Sequence, residues 1–269
     1  MEAWISTHTK AGRAIFSNIT QGAKRKVEAI QAAIEVDLLY PLVRGRDVNR
    51  WWADPRAHII MTQDPKTRVG LDEDNMKREY PKAYAYLKRC ESVLQVRKTQ
   101  AVRHLMARGA FYSIFGVGEY TFAPYKVVWR EVSSEMDAAV VGPRGVADSR
   151  KATVPDHTCI LIPCEKKDTA HYLCAVLNSS PVRLAIRSYI VLHPDPHVLK
   201  NVRIPMFSEK DRVHLRLAEL SEAAHKATAS GEATAVKKIE DEIDRIATKL
   251  WDLTDQELAE IHASLEEGR

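Results

Sequence analysis

Between residues 213 and 250 apolar side chains recur at steps of three and four. Val213, Leu217, Leu220 and Ala224 form one set; Val236, Ile239, Ile243, Ile246 and Leu250 form a second. That spacing puts each set on one face of an α-helix. Ser230 and Gly231 fall between the sets and supply a turn. A helical hairpin with coiled-coil-like seams is therefore predicted, and an apolar stripe on a helix must be covered. A third short helix should follow Thr254, where Glu257 three residues later completes a capping box.

The preceding chain has a different rhythm. Residues 39–43, 58–62, 125–132, 138–141, 159–162 and 198–204 read as β-strands. Helices are expected over 24–36, from residue 75 onward with Pro81 near the start, and over 170–177 and 182–191. The fold class is a mixed α/β (α+β) body with a mainly antiparallel or mixed sheet, plus the C-terminal helical hairpin. Three blocks are expected: a lead-in with a short helix at 1–37, a body at 38–207 and the helical tail at 208–269. At 269 residues with 45% hydrophobic and 28% charged side chains, the chain is globular. No apolar run suits a membrane span, so no membrane partner and a cytoplasmic location are expected. Cys90, Cys159, Cys164 and Cys174 lack any C-x-x-C spacing and read as reduced, half-buried thiols.

The charge is uneven. Residues 205–269 hold 9 Lys+Arg and 15 Asp+Glu, whereas the other 204 residues hold 31 and 21. A basic body with an acidic tail suits a protein whose body alone meets phosphates, although acidic helices also serve solubility. Within the body, Arg44, Arg46 and Arg50 lie on a glycine-punctuated turn beside Trp51 and Trp52. Arg97, Lys98, Arg103, His104 and Arg108 precede an aromatic, glycine-containing stretch with Tyr112 and Tyr120. Arg144 and Arg150 surround the Gly142-Pro143-Arg144-Gly145 turn. Cations interleaved with aromatics suit an anionic, stackable partner, and all fourteen are candidate DNA contacts. Phe111 and Phe115 read as core.

Three blocks carry a resemblance. Pro41-Leu42-Val43-Arg44-Gly45-Arg46-Asp47-Val48-Asn49-Arg50-Trp51 is similar to the P-L-x-R-G-R-D-I/V-x-R-[WY] segment of the TaqI-like C-terminal specificity domain. Tyr172-Leu173-Cys174-Ala175-Val176-Leu177-Asn178-Ser179 resembles that family's Y-L-x-x-x-L-N-S helix end. Ile243 to Leu258 resembles its tail, with Trp251 where Tyr is usual. The resemblance implies the target-recognition part of an N6-adenine DNA methyltransferase or a type IIG restriction–methylation enzyme. Double-stranded DNA and a methyltransferase catalytic domain or subunit would be its partners. S-adenosylmethionine would belong to that catalytic part, with no cofactor, metal or catalysis expected in this chain.

The sequence supports that division. It has no Asn/Asp-Pro-Pro-aromatic motif, and Phe115-Gly116-Val117-Gly118 is too short for a nucleotide-binding loop. His193 and His197 span two prolines and make a poor metal pair. Asp156, Glu165 and Lys167 formally match a PD…ExK nuclease pattern, in which carboxylates hold a divalent ion. Such a nuclease, or a non-catalytic protein-interaction adaptor, is the alternative reading.

Overall fold

The computed structural model describes residues 2–9, 12–21, 27–187, 199–200 and 202–267. It is a mixed α/β protein. In chain order the elements are β1 (Glu2–Thr9), β2 (Arg13–Asn18), β3 (Gln31–Glu35), β4 (Leu39–Val43), β5 (Val48–Asn49), β6 (Trp52–Ala53) and β7 (Ala57–Ile60). Next come α1 (Glu73–Glu79), α2 (Pro81–Arg89), α3 (Glu91–Gln95), α4 (Gln100–Arg108), β8 (Tyr125–Arg130) and β9 (Ala139–Val141). The rest are β10 (Arg144–Val146), β11 (Ser149–Lys151), β12 (Val154–Pro155), β13 (Cys159–Cys164), α5 (Lys167–Asn178), α6 (Ser180–Arg187), α7 (Arg212–Ala229), α8 (Ala233–Ala247) and α9 (Asp255–Glu267).

The chain groups into two interleaved compact units instead of the three consecutive blocks expected. Unit 1 comprises Met1–Leu42, Pro55–Ala123 and Pro143–Val154; unit 2 comprises Val43–Asp54, Pro124–Gly142 and Pro155–Arg269. The physical reason is strand pairing. The six-stranded sheet runs in the order β12-β4-β7-β1-β2-β3, so strands from the expected lead-in are built into a sheet with strands from the body.

Unit 1 packs α2 against β3. Phe16, Ile34, Met76 and Tyr86 are buried at this core, and the rings of Phe16 and Tyr86 meet edge-to-face at 5.3 Å. The Glu35 carboxylate accepts from Lys82 N at 3.0 Å and Ala83 N at 2.8 Å. A helix start leaves such N–H groups orphaned, and a carboxylate there also complements the helix dipole. Pro81 occupies the first helical position, where its missing N–H does no harm. The helix expected over 24–36 is instead β3 for residues 31–35. Ala14 pairs with Ile34 and Phe16 with Ala32, so the ladder to β2 overrides the local spacing of Ile30 and Ile34. Residues 24–26 of that expectation lie outside the described residues. The helix expected from residue 75 is broken at Tyr80 and Cys90 into three short ones.

Unit 2 has a three-stranded antiparallel sheet, β13-β8-β9, and the two-stranded β5–β6 pair. Helix α5 packs on β8 and on α7, and α7 packs on α8. The predicted hairpin is present, but it is not a detachable tail. Leu217, Leu220 and Ala224 of α7 share one buried core with Trp129, Tyr172 and Val176. Burying each large apolar side chain stabilises by roughly 1.5–3 kcal/mol, which ties α7 to the body. The capping box forms: Glu257 N donates to Thr254 Oγ1 at 3.2 Å and Thr254 N to Glu257 Oε2 at 2.7 Å. The strand expected over 198–204 is absent among the described residues of that stretch. Residues 188–191 of the expected 182–191 helix, and His193 and His197, lie outside the described residues. All four cysteines are buried thiols, and burial pushes Cys164 up to about 11.

Candidate nucleic-acid interface

The arginine-rich turn opens unit 2. The chain between β4 and β5 makes a 3-10 turn, Gly45–Asp47. Arg44 closes on its own loop: Nε donates to Asp47 Oδ2 at 2.7 Å and Nη2 to Asp47 Oδ1 at 2.9 Å. Arg44 is only 6% exposed. Gly45 is demanded by close approach, since a Cβ there would lie 2.6 Å from the Thr158 carbonyl oxygen. Arg46 is exposed.

Arg50 and Trp51 meet α8. The Arg50 Nε is paired with the Glu240 carboxylate, and Arg50 Nη2 donates to the Asn178 carbonyl at 2.7 Å. Trp51 is 1% exposed, sits at φ 60°, and donates from Nε1 to Glu240 Oε1 at 2.7 Å. Burial works against the Glu240 carboxylate, yet Arg50 and Trp51 hold its pKa below the ordinary value. Trp52 is half-buried and pairs with Asn49. In this segment Arg44, Arg50 and Trp51 are thus committed to packing, contrary to their expected place on a DNA surface.

The other two similar blocks are partners of the first. Asn178 is fully buried and bonds both main-chain groups of Ala138, accepting from N at 3.0 Å and donating to O at 2.8 Å. Ser180 donates from N and Oγ to the two carboxylate oxygens of Asp244 at 2.7 and 2.6 Å. His262 Nε2 reaches Asp244 Oδ2 at 2.9 Å. The three blocks form a scaffold.

Unit 1 carries exposed charge. It holds 20 Lys+Arg against 12 Asp+Glu, a balance of +8, whereas unit 2 holds 20 against 24, a balance of −4. On and before α4, Lys98, Arg103, His104 and Arg108 are exposed, with no ion-pair partner among the described residues. Arg97 belongs to the structure instead. Its guanidinium donates to the carbonyls of Leu94 at 2.9 Å and Ser113 at 2.8 Å, and also reaches that of Phe111; burial lowers its pKa. Tyr112 is 2% exposed, donates to the Leu71 carbonyl at 2.8 Å, and is likewise packed.

The loop after α4 corrects a second expectation. Phe111 is buried as predicted, but Phe115 is 60% exposed. Tyr120 is 39% exposed and donates to the Gly116 carbonyl at 2.6 Å. The loop is braced by a turn in the polar stretch 64–74, which the sequence marks as a loop through Asp64-Pro65 and Gly70. Buried Gln63 donates to the Arg68 carbonyl at 2.7 Å and accepts from Ile114 N at 2.9 Å. Asp64 Oδ1 accepts from Lys66 N at 2.9 Å and Thr67 N at 2.7 Å, an Asx-type turn that presents Lys66 and Arg68 to solvent. In the β10–β11 hairpin Arg144 and Arg150 are exposed, and Arg150 Nη2 also donates to the Pro143 carbonyl at 2.9 Å.

The nuclease-like residues do not converge. Asp156 Oδ1 accepts from Thr158 N at 2.9 Å, and Lys167 Nζ donates to Glu222 Oε2 at 2.6 Å. Glu165 is exposed, and no cluster of three His, Cys, Asp or Glu able to hold a metal occurs among the described residues. No described helix is long and apolar enough to cross a membrane.

No protein-family profile matches the chain. Over 152 residues it is 32% identical to the type II methyltransferase M.NspV of Nostoc sp., a stretch covering 56% of this chain and 29% of that protein. Its fold matches part of MmeI, a type IIL restriction–modification enzyme solved in complex with DNA. The TM-score is 0.57 at 11% identity, over 86% of this chain and 30% of that one. Part of the chain is thus homologous to part of a restriction–modification methyltransferase. The chain spans less than a third of either relative.

Proposed function

We propose that the chain is the DNA target-recognition part of an N6-adenine methyltransferase in a restriction–modification system, of the TaqI-like specificity type, and that unit 1 meets the duplex. The charge division carries the reading: the basic balance falls in the unit whose cations Lys98, Arg103, His104 and Arg108 are exposed and unpaired among the described residues. Partial homology to M.NspV and the shared fold with part of MmeI support it. The work is binding. Cations neutralise phosphates and fix the register of the duplex, while side chains on the loop and hairpin read base edges. The methyl donor S-adenosylmethionine and the transfer step belong to a catalytic domain or subunit, to which this chain presents the DNA.

Salt titration tests the reading. The double substitution Arg103→Ala, Arg108→Ala should weaken binding to every duplex and flatten the log K against log salt slope by up to about 2. Equal slopes for the two proteins would overturn the assignment of α4. An adaptor would show no salt-dependent DNA binding at all.

A further inference from the structure

We infer that Phe115 is a wedge that inserts into the base stack of bound duplex DNA. The inference rests on the DNA-binding reading above and adds a mechanism to it. A single exposed apolar side chain is ordinary on a protein surface. The surroundings of Phe115 are what give its exposure meaning. Ile114 on one side packs against the apolar cluster of Leu42, Ala57, Met61 and Val154, and its N–H is held by buried Gln63 at 2.9 Å. Val117, two residues beyond, is a member of that same cluster and is 7% exposed. The chain therefore enters the core on both sides of Phe115 and leaves it out, 60% exposed, with no ring stacked on it among the described residues.

The backbone fixes that choice. Gly116 takes φ 77°, a left-handed conformation that favours glycine, and open space surrounds its Cβ position. The Tyr120 hydroxyl holds the Gly116 carbonyl at 2.6 Å, and Gly118 N donates to Thr121 Oγ1 at 3.1 Å. A loop tied at Ile114, Gly116, Val117 and Gly118 presents Phe115 with little ordering left to do on binding. The electrostatics suit DNA. Arg68 Nε lies 3.4 Å from the Cβ position of Gly118, and Glu119 is the sole carboxylate between Glu91 and Glu131. Rigidly held apolar side chains flanked by cations are the means by which proteins part a base step and kink a duplex.

The test uses the full chain and three fluorescein-labelled probes: a duplex of mixed sequence, the same duplex with one central abasic site, and the same duplex with one central mismatch. A defect removes stacking in advance, so wild-type protein should bind the two defective probes about ten-fold more tightly than the intact one. Phe115→Ala should bring all three affinities together, while Phe115→Trp should keep the preference. Arg103→Ala should weaken all three equally and preserve it. A preference unchanged in Phe115→Ala overturns the wedge, as does an equal loss on every probe, which would make Phe115 a simple surface contact. Wild-type affinity of Phe115→Ala on every probe also overturns it and assigns the side chain to a protein partner. Failure of the wild type to bind any probe defeats the DNA reading itself, a result distinct from these.

Discussion

Arg50 donates from Nη2 to the main-chain carbonyl of Asn178, 2.7 Å away and 128 residues later in the chain. The link joins the arginine-rich turn to the end of α5, and Glu240 on α8 holds the same guanidinium from a third place in the sequence. Ser180 continues the chain of contacts to Asp244, one turn further along α8. Residues spaced across most of the chain thus act as one clasp. Arg50, Asn178, Ser180, Glu240 and Asp244 hold this unit together, and under the proposed function DNA contact falls to other side chains.

That division predicts that loss of Arg50 affects stability and spares DNA binding. Arg50→Ala leaves the Glu240 carboxylate and the Asn178 carbonyl without their donor. The pair is about a fifth exposed on each side, which tempers the loss. Destabilisation of about 1–3 kcal/mol is expected, seen as a lower urea midpoint by tryptophan fluorescence. The salt slope of DNA binding should match the wild type within error. A flatter slope for Arg50→Ala with an unchanged midpoint would place Arg50 on the DNA and reverse the argument.

The sequence made some of this legible and hid the rest for identifiable reasons. The apolar steps from Val213 to Leu250, the apolar runs of β4 and β8, and the Thr254–Glu257 cap are local signals, and each element stands where it was expected. Strands β2 and β3 escaped because their identity depends on pairing with one another, while the spacing of Val27, Ile30 and Ile34 imitates a helix. The roles of Arg44 and Arg50 divide along the same line. Asp47 is three residues from Arg44, so that pair was within reach of sequence reasoning. Glu240 is 190 residues from Arg50, and nothing in either neighbourhood announces the other. Phe115 is hidden for a subtler reason: whether it turns inward depends on Gln63 holding Ile114 and on Gly116 reversing the chain.

Acid should loosen unit 2 before it removes most of the carboxylate charge. His225 Nε2 accepts from Val140 N at 2.9 Å and its Nδ1 faces the Ser221 carbonyl at 2.7 Å, so the neutral ring donates from Nδ1 and protonation would set two donors against each other. His171 packs edge-on against it at 5.1 Å; burial, then the neighbouring His225, push its pKa down to about 3. A histidine whose folded pKa is depressed stays neutral while the unfolded chain takes up a proton below about 6.5. Its contribution is therefore complete above about pH 6.5 and is lost as pH falls toward 3. The Glu240 carboxylate, also depressed, adds a further loss only below its ordinary range near 4.5. From pH 7 to pH 5 the His171 site alone should cost about 2 kcal/mol. Urea titrations at the two pH values measure this, and His171→Gln should flatten the difference. Equal midpoints for the wild type at pH 7 and pH 5 would show that the ring is not neutral in the folded state.

Base reading should separate from phosphate binding within unit 1. Arg103 and Arg108 lie on a helix together with exposed His104 and just after exposed Lys98, a setting that serves phosphates. Arg144 and Arg150 project from a two-stranded ribbon, in which Gly145 pairs with Arg150 and leaves open space at its own Cβ position. A β-ribbon fits the major groove, and an arginine there pairs bidentately with guanine, each such contact discriminating by about 1–3 kcal/mol. Arg150 is braced through Nη2 on the Pro143 carbonyl, which pre-orients its guanidinium. Selection of bound duplexes from a randomised library, with sequencing, distinguishes the roles. Arg144→Ala or Arg150→Ala should relax preference at one base position while leaving non-specific affinity within about two-fold. Arg103→Ala and Arg108→Ala should lower recovery of all sequences alike and leave the consensus intact. If the hairpin variants weaken every sequence uniformly, Arg144 and Arg150 are phosphate contacts and the reading residues lie elsewhere in unit 1. If they change neither consensus nor affinity, the hairpin is structural and does not meet DNA.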